Sequence, residues 1–311
     1  MKNKNLKILF ILFFLICFKS VNSENKSSIV IKINNKIITN IDVQNEKKYL
    51  IAINQNLKSL DKDEMYNIAK NSLIRERIKK NELEKHYNLN INSKYMDSLI
   101  KDFYMRLKFQ SKEDFDVYLS NNNIGLNEIK SKLNVETIWN ELIFNKYKDK
   151  VEIDEEKIKN KINTLVSKEE KESYLISEII FSANTKEEIL INHKKILKSI
   201  DAIGFSDTAN IYSEAETSKF GGEIGWIDTS QFSEKIFKKL KSLKTGEITD
   251  LINVPGGFLI LKIVDKKLTK IKIDKKNEFN QLITYEKNRQ LNEFSAIYFQ
   301  KIKKNSLINE K

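Results

Sequence analysis

The chain offers conventional catalysis very little. Its 311 residues hold two histidines, His86 and His193, and one cysteine, Cys17. Each histidine stands alone in a lysine- and glutamate-rich helical pattern, where a solvated or structural role is expected. No cluster of His, Cys, Asp and Glu has metal-ligand spacing, so neither a metal nor a cofactor is expected. The run Phe220-Gly221-Gly222-Glu223-Ile224-Gly225-Trp226 contains no Gly-x-Ser-x-Gly elbow. No Lys-Ser/Thr follows it to make a phosphate loop. Hydrolase, transferase and redox readings are therefore poor. What stands out is the clustering itself. Six of the eight glycines fall in three islands: 220–226, Thr245-Gly246-Glu247-Ile248, and Gly256-Gly257-Phe258-Leu259-Ile260-Leu261-Lys262. In so glycine-poor a chain, they mark positions that need positive φ or a close strand approach.

The elements around these islands have their own signatures. Residues 174–181 form a dense apolar run with β-branched members, closed by Ser182-Ala183-Asn184, and predict a buried strand. Helical periodicity follows over 186–200 and 205–212. Residues 225–227 read as short and extended, and 234–240 as helical. Strands are predicted over 247–253 and 257–264, with Pro255-Gly256 turning between them. The order β-α-α-β-α-β-β defines a compact α+β unit.

The flanks are different. Ile29-Val30-Ile31-Lys32-Ile33 and Lys36-Ile37-Ile38 enclose Asn34-Asn35, a hairpin with a turn tolerant of left-handed φ. Thr39 or Asn40 then caps a helix, with Asp42 in its first turn. Amphipathic helical patterns run over 61–87, 93–109 and 127–150, and a further helix opens at Ser111-Lys112-Glu113-Asp114, which reads as a capping box. Helical spacing returns over 275–303. The fold class expected is thus α+β: a mainly helical body with one inserted α+β domain.

Ser177-Glu178-Ile179-Ile180-Phe181, residues 205–213, 220–226 and 232–237, Leu243-Lys244-Thr245-Gly246-Glu247-Ile248 and residues 257–262 resemble, in order, the parvulin family of peptidyl-prolyl cis-trans isomerases. The match covers roughly 172–266. The hairpin and first helix (29–49) and the helix after the domain are similar to those of the SurA chaperones, here with a single parvulin-like domain. The resemblance implies a helical chaperone domain over 24–165, a parvulin-like domain over 172–266, and a helix over 275–311 that packs back on the first. It also implies where the family's site would lie. The two active-site histidine positions fall on Glu178 and Leu259, and the cysteine-or-aspartate position on Ala215. The apolar proline pocket is better kept, with Ile224, Phe232 and Ile236, and Leu259 beside them.

Prolyl isomerisation breaks no bond. It needs only rotation about C–N over a barrier of about 18–20 kcal/mol, so no nucleophile is required. With both histidines and the polar group absent, weak or absent isomerase activity is expected, with peptide binding retained. An active isomerase stays open as the alternative, as does a non-catalytic module of an envelope assembly. Glu178 either lies buried beside the pocket, where it must be paired or protonated, or faces solvent at a strand edge.

The termini and charge bear on compartment and partners. Lys2, Lys4 and Lys7 precede an apolar run over 8–18 that is too short to span a bilayer comfortably. Val21-Asn22-Ser23 offers a cleavage site, which makes 1–23 a secretory signal peptide; an uncleaved anchor is the rival reading. With Cys17 in the leader, the mature chain has no disulfide, which suits a bacterial periplasm. The net charge is +12, but lysines are interleaved with acids as on solvated helix faces, not gathered into a nucleic-acid patch. The partners expected are unfolded envelope or outer-membrane proteins and segments bearing proline or aromatic residues. Tyr49, Phe103, Tyr104, Phe109 and Tyr118 are candidate client-facing aromatics. No membrane span is expected once the leader is removed.

Overall fold

The computed structural model describes residues 27–89, 93–166, 170–270 and 274–311. The leader assigned to 1–23 lies outside the described residues. Strands β1 (Ile29–Ile33) and β2 (Lys36–Thr39) form the expected hairpin. Asn34 takes φ 53° at its turn, and Ile31, Ile33 and Ile38 are fully buried. Thr39 caps α1 (Asn40–Ile53) in a reciprocal box with Asp42. The Asp42 amide donates to the Thr39 hydroxyl at 3.2 Å, and the Thr39 amide donates to the Asp42 carboxylate at 2.7 Å, satisfying donors a helix start leaves open. Asp61 likewise caps α2 (Lys62–Leu83). Then come α3 (Ser93–Arg106), α4 (Lys112–Asn121), α5 (Leu126–Tyr147) and α6 (Glu155–Val166).

The α+β unit follows as β3 (Glu170–Phe181), α7 (Lys186–Ile203), α8 (Phe205–Tyr212), β4 (Glu223–Asp228), α9 (Glu234–Lys241), β5 (Ile252–Val254) and β6 (Gly257–Lys270). Its four strands run antiparallel in the order β4-β3-β6-β5. Period-2 alternation separates two faces. Ile179, Phe181 and Ile260 pack with Ile196, Phe205 and Ala209 of α7 and α8. Tyr174, Ile176, Leu259, Leu261 and Ile263 face the other way, into a second core with Phe232 and Leu240. The chain then returns as α10 (Lys275–Lys304) and β7 (Ile308–Glu310). Helix α10 joins the helical body: Trp139 stacks on Tyr298 with ring centroids 5.7 Å apart and donates from Nε1 to Ser295 at 2.9 Å.

Five expectations are corrected here. Residues 247–251 do not join a regular ladder. The Leu261 amide donates to the Thr249 hydroxyl at 3.0 Å, so a side chain takes the ladder bond and leaves Ile248 with a single bridge to Lys262. Strands β3 and β6 extend beyond 174 and 264 as a two-stranded ribbon, Glu170 opposite Lys270, where polar residues hide the strand signal. The helix predicted over 93–109 stops at Arg106, because Lys108 turns left-handed at φ 68°. Strand β7, three residues long, is not among the expected elements; it pairs with β1, Ile31 opposite Glu310. Finally, the candidate client-facing aromatics belong to the body's own core. Tyr49 and Tyr104 are buried, and Phe103, Phe109 and Tyr118 pack against the same cluster. Phe115 is its centre, with Phe109 at 5.5 Å and Tyr104 at 5.9 Å.

Candidate peptide-binding site

Phe232 is presented by a tight turn. The Asp228 amide donates to Gln231 Oε1 at 3.0 Å and closes a short 3₁₀ turn over Thr229–Gln231. Ser233 then caps α9, its hydroxyl accepting from the Ile236 amide at 3.3 Å. This puts Phe232 and Ile236 over the sheet face that carries Leu259. Phe232 is 5% and Leu259 6% exposed, and the Phe232 ring lies 6.1 Å from that of Tyr174. Three of the four pocket residues read from the sequence, Phe232, Ile236 and Leu259, therefore meet in one cluster. Ile224 does not. It sits where the β3–β4 register slips by one residue, a bulge that re-aims its side chain, and it is 42% exposed.

Glu178 lies on the same sheet face, between Ile176 and Ile180. It does not point freely to solvent at a strand edge. Thr217 donates its hydroxyl to Glu178 Oε1 at 2.9 Å. Burial pushes the Glu178 carboxyl up to about 7, and the Thr217 hydrogen bond offsets part of that rise. Gly222 makes this pairing possible. At φ +79° its amide donates to the Thr217 carbonyl at 2.9 Å, and its carbonyl accepts from the Glu178 amide at 2.8 Å. A Cβ there would stand 2.3 Å from the Glu178 carbonyl oxygen. Ala215 caps the 3₁₀ turn Glu216–Phe220 and offers only a methyl group; its carbonyl accepts from Arg75 at 3.3 Å.

The arrangement is thus an apolar face of Tyr174, Phe232, Ile236 and Leu259 with one carboxyl–hydroxyl pair beside it. The apolar members are packed against one another, and the carboxyl titrates near neutrality. Neither histidine is near it: His193 lies on α7, across the sheet, and His86 follows α2 in the helical body. Among the described residues no group of side chains could hold a metal ion, and no helix is long and apolar enough to cross a membrane. Sequence reasoning does not single out Thr217 or Lys161. Lys161 of α6 donates to the carbonyls of Ser230 at 3.0 Å and Phe232 at 3.1 Å, a contact between elements distant in sequence. Tyr174 is legible as a strand residue only.

Residues 175–265 match the PPIC-type peptidyl-prolyl isomerase (rotamase) domain. The α+β unit is therefore a parvulin-type domain. The chain that carries it is similar in sequence to SurA chaperones over half of its length. It is 25% identical over 169 residues to the chaperone SurA of Pseudomonas putida, a match taking in 50% of this chain and 39% of that protein. To the chaperone SurA of Pseudomonas aeruginosa it is 21% identical over 165 residues, 50% of this chain and 40% of the other. The chain thus spans about two fifths of the length of these curated relatives. Among solved structures, a SurA-like chaperone of Campylobacter jejuni aligns over 91% of this chain and 99% of its own, with 15% identity and a TM-score of 0.39.

Proposed function

We propose that the protein is an exported chaperone that holds unfolded envelope or outer-membrane proteins, its parvulin domain serving as a peptide-binding element with weak or no isomerase activity. One observation supports this reading: Phe232, Ile236 and Leu259 cluster on one face of the domain's sheet, while the positions where the family resemblance implies two histidines and a polar group read Glu178, Leu259 and Ala215. An apolar face without histidines beside it suits holding better than catalysis. The same reading assigns 1–23 as the leader and the periplasm as the compartment. It divides the chain into a helical body (24–165), the parvulin domain (172–266) and the returning segment (275–311). The client surface is assigned to side chains exposed on the helical body and at the parvulin sheet's edge, such as Tyr95, Met105, Val117 and Trp226.

Two assays on one preparation test this. Aggregation of an unfolded β-barrel protein should be suppressed at near-stoichiometric ratio. Refolding of a proline-limited substrate should be accelerated little or not at all. Strong acceleration without suppression would replace the reading with the second one, an active foldase. The Glu178–Thr217 pair is what favours that alternative, because it leaves one hydrogen-bonding group at the pocket.

A further inference from the structure

A cavity of about 390 Å³ lies away from the Phe232–Leu259 face, where the helical body, the parvulin domain and the returning segment meet. Its size falls within the range of small-ligand sites, about 300–1,000 Å³. Ile74 of α2, Ile211 of α8, Phe299 of α10 and Ile308 of β7 give it an apolar wall. Three of its four cations are matched at close range: Lys132 lies 2.6 Å from Glu76, Lys219 3.1 Å from Glu216, and Lys303 3.1 Å from Glu214. Arg75 is the exception. Its fork donates to the carbonyls of Ser213 and Ala215, both at 3.3 Å, and it makes no ion pair among the described residues. Glu216, a carboxylate that feels its charge, is already bound by Lys79 and Lys219. Most donors of the Arg75 guanidinium are thus unused, and those in use meet neutral acceptors.

Strand β7 supplies a second feature. It is an outer strand of its sheet, in the order β2-β1-β7. The Lys311 amide donates to the Val30 carbonyl and the Asn34 amide to the Leu307 carbonyl, each at 2.9 Å, and Asn309 stands opposite Lys32. Bonding alternates along an antiparallel pair. Positions 307, 309 and 311 therefore turn their backbone groups toward β1, and Ile308 and Glu310 turn theirs away. These two are the β7 residues that line the cavity. An open strand edge and a guanidinium without an anion thus meet in one cavity.

We propose that this cavity binds the C-terminal end of an extended polypeptide. The terminal carboxylate lies on Arg75, the last side chain, an apolar one, packs against Ile74, Ile211 and Phe299, and the backbone adds as a strand to Ile308 and Glu310. A fatty acid would satisfy the guanidinium and the apolar wall but offers nothing to the strand edge. An internal peptide segment would leave Arg75 without its anion. The site is separate from the parvulin face, and its occupancy requires neither peptide at that face nor isomerase activity.

Arg75 also ties the parvulin domain to the body, so the deciding change is made in the peptide. Fluorescence anisotropy compares a short labelled peptide ending in Ala-Leu as the free acid with the same peptide as its C-terminal amide. The free acid should bind at least about tenfold more tightly, the scale of one charge-assisted pair. Equal affinity, or no binding of either form, overturns the proposal. Binding of dodecanoate as tightly as the free-acid peptide overturns it in favour of a lipid site. Arg75→Gln should bring the acid down to the affinity of the amide; a preference that survives there overturns the role of Arg75. Glu310→Pro removes one outward amide without touching a bond to β1 and should weaken both forms about fivefold, the worth of one hydrogen bond, while Glu310→Gln should leave both unchanged. Unchanged affinity in Glu310→Pro overturns the added strand. Should Arg75→Gln disturb the docking of the domains, Ile211→Trp fills the cavity with Arg75 in place and should abolish binding of both forms; full binding there overturns the cavity as the site.

Discussion

At Glu178 the physics of a single carboxyl sets a pH response for the whole domain. Below about pH 4.5, the ordinary range for such a group, it is protonated folded or unfolded. As pH rises to about 7, the unfolded chain ionises it while the folded domain keeps it neutral, so stability falls across that window. Glu178→Gln keeps an acceptor for Thr217 and removes the titration. We expect its denaturation midpoint to lose that slope and to gain up to about 3 kcal/mol at pH 8, at ~1.4 kcal/mol per unit. Gly222 answers to sterics. Gly222→Ala combines a left-handed φ with contact on the Glu178 carbonyl, and should cost about 3 kcal/mol or more in urea unfolding. The glycine islands are legible as backbone specials because so few glycines lie elsewhere. Thr217 is not, since nothing in Ala215-Glu216-Thr217-Ser218 distinguishes which side chain turns toward β3.

Elements are legible where a local rule governs them. Thr39 with Asp42, Asn34 in its turn, and Pro255-Gly256 between β5 and β6 each carry a mechanism within four residues, and each stands as expected. Elements set by distant partners are not. Strand β7 exists because β1 has a free edge, not because Ile308-Asn309-Glu310 is strand-like. Removing residues 308–311 takes away that pairing, the Lys311 amide bond to Val30 (2.9 Å) and the Lys70–Glu310 pair. A loss of about 1–3 kcal/mol is expected, read as a lower midpoint in chemical denaturation with faster amide exchange in β1. The aromatic-rich helices 93–122 illustrate the converse. Their periodicity announces helices correctly, but Phe103 and Phe109 close on Phe115 and Tyr118 lies against Phe109, so the same pattern that reads as surface reads equally well as core.

Across the whole molecule, the parvulin domain is held to the body by charge as well as by α10. Arg75 of α2 donates to the carbonyls of Ser213 and Ala215, both at 3.3 Å, and the nearly buried Lys79 bridges Glu136 of α5 and Glu216 of the parvulin domain at 2.6 and 2.7 Å. Replacing both cations, Arg75→Met with Lys79→Met, should undock the domain without unfolding either part. Small-angle scattering should show a larger radius of gyration, and helical content by circular dichroism should hold. Unchanged scattering would mean that α10 alone suffices. None of this docking is visible in the sequence. Arg75 and Lys79 sit on a charged helix, and such cations look solvated until a second domain is placed against them. The pairing of β1 with the far end of the chain carries a further consequence, one of timing. Asn34 and Leu307 bond across 273 residues, and contacts so remote in sequence form slowly. A chain delivered N-terminus first therefore has its parvulin domain, whose strands lie within 170–270, in hand before its body can close. The sheet that opens the helical body is complete only when residues 308–310 pair with β1.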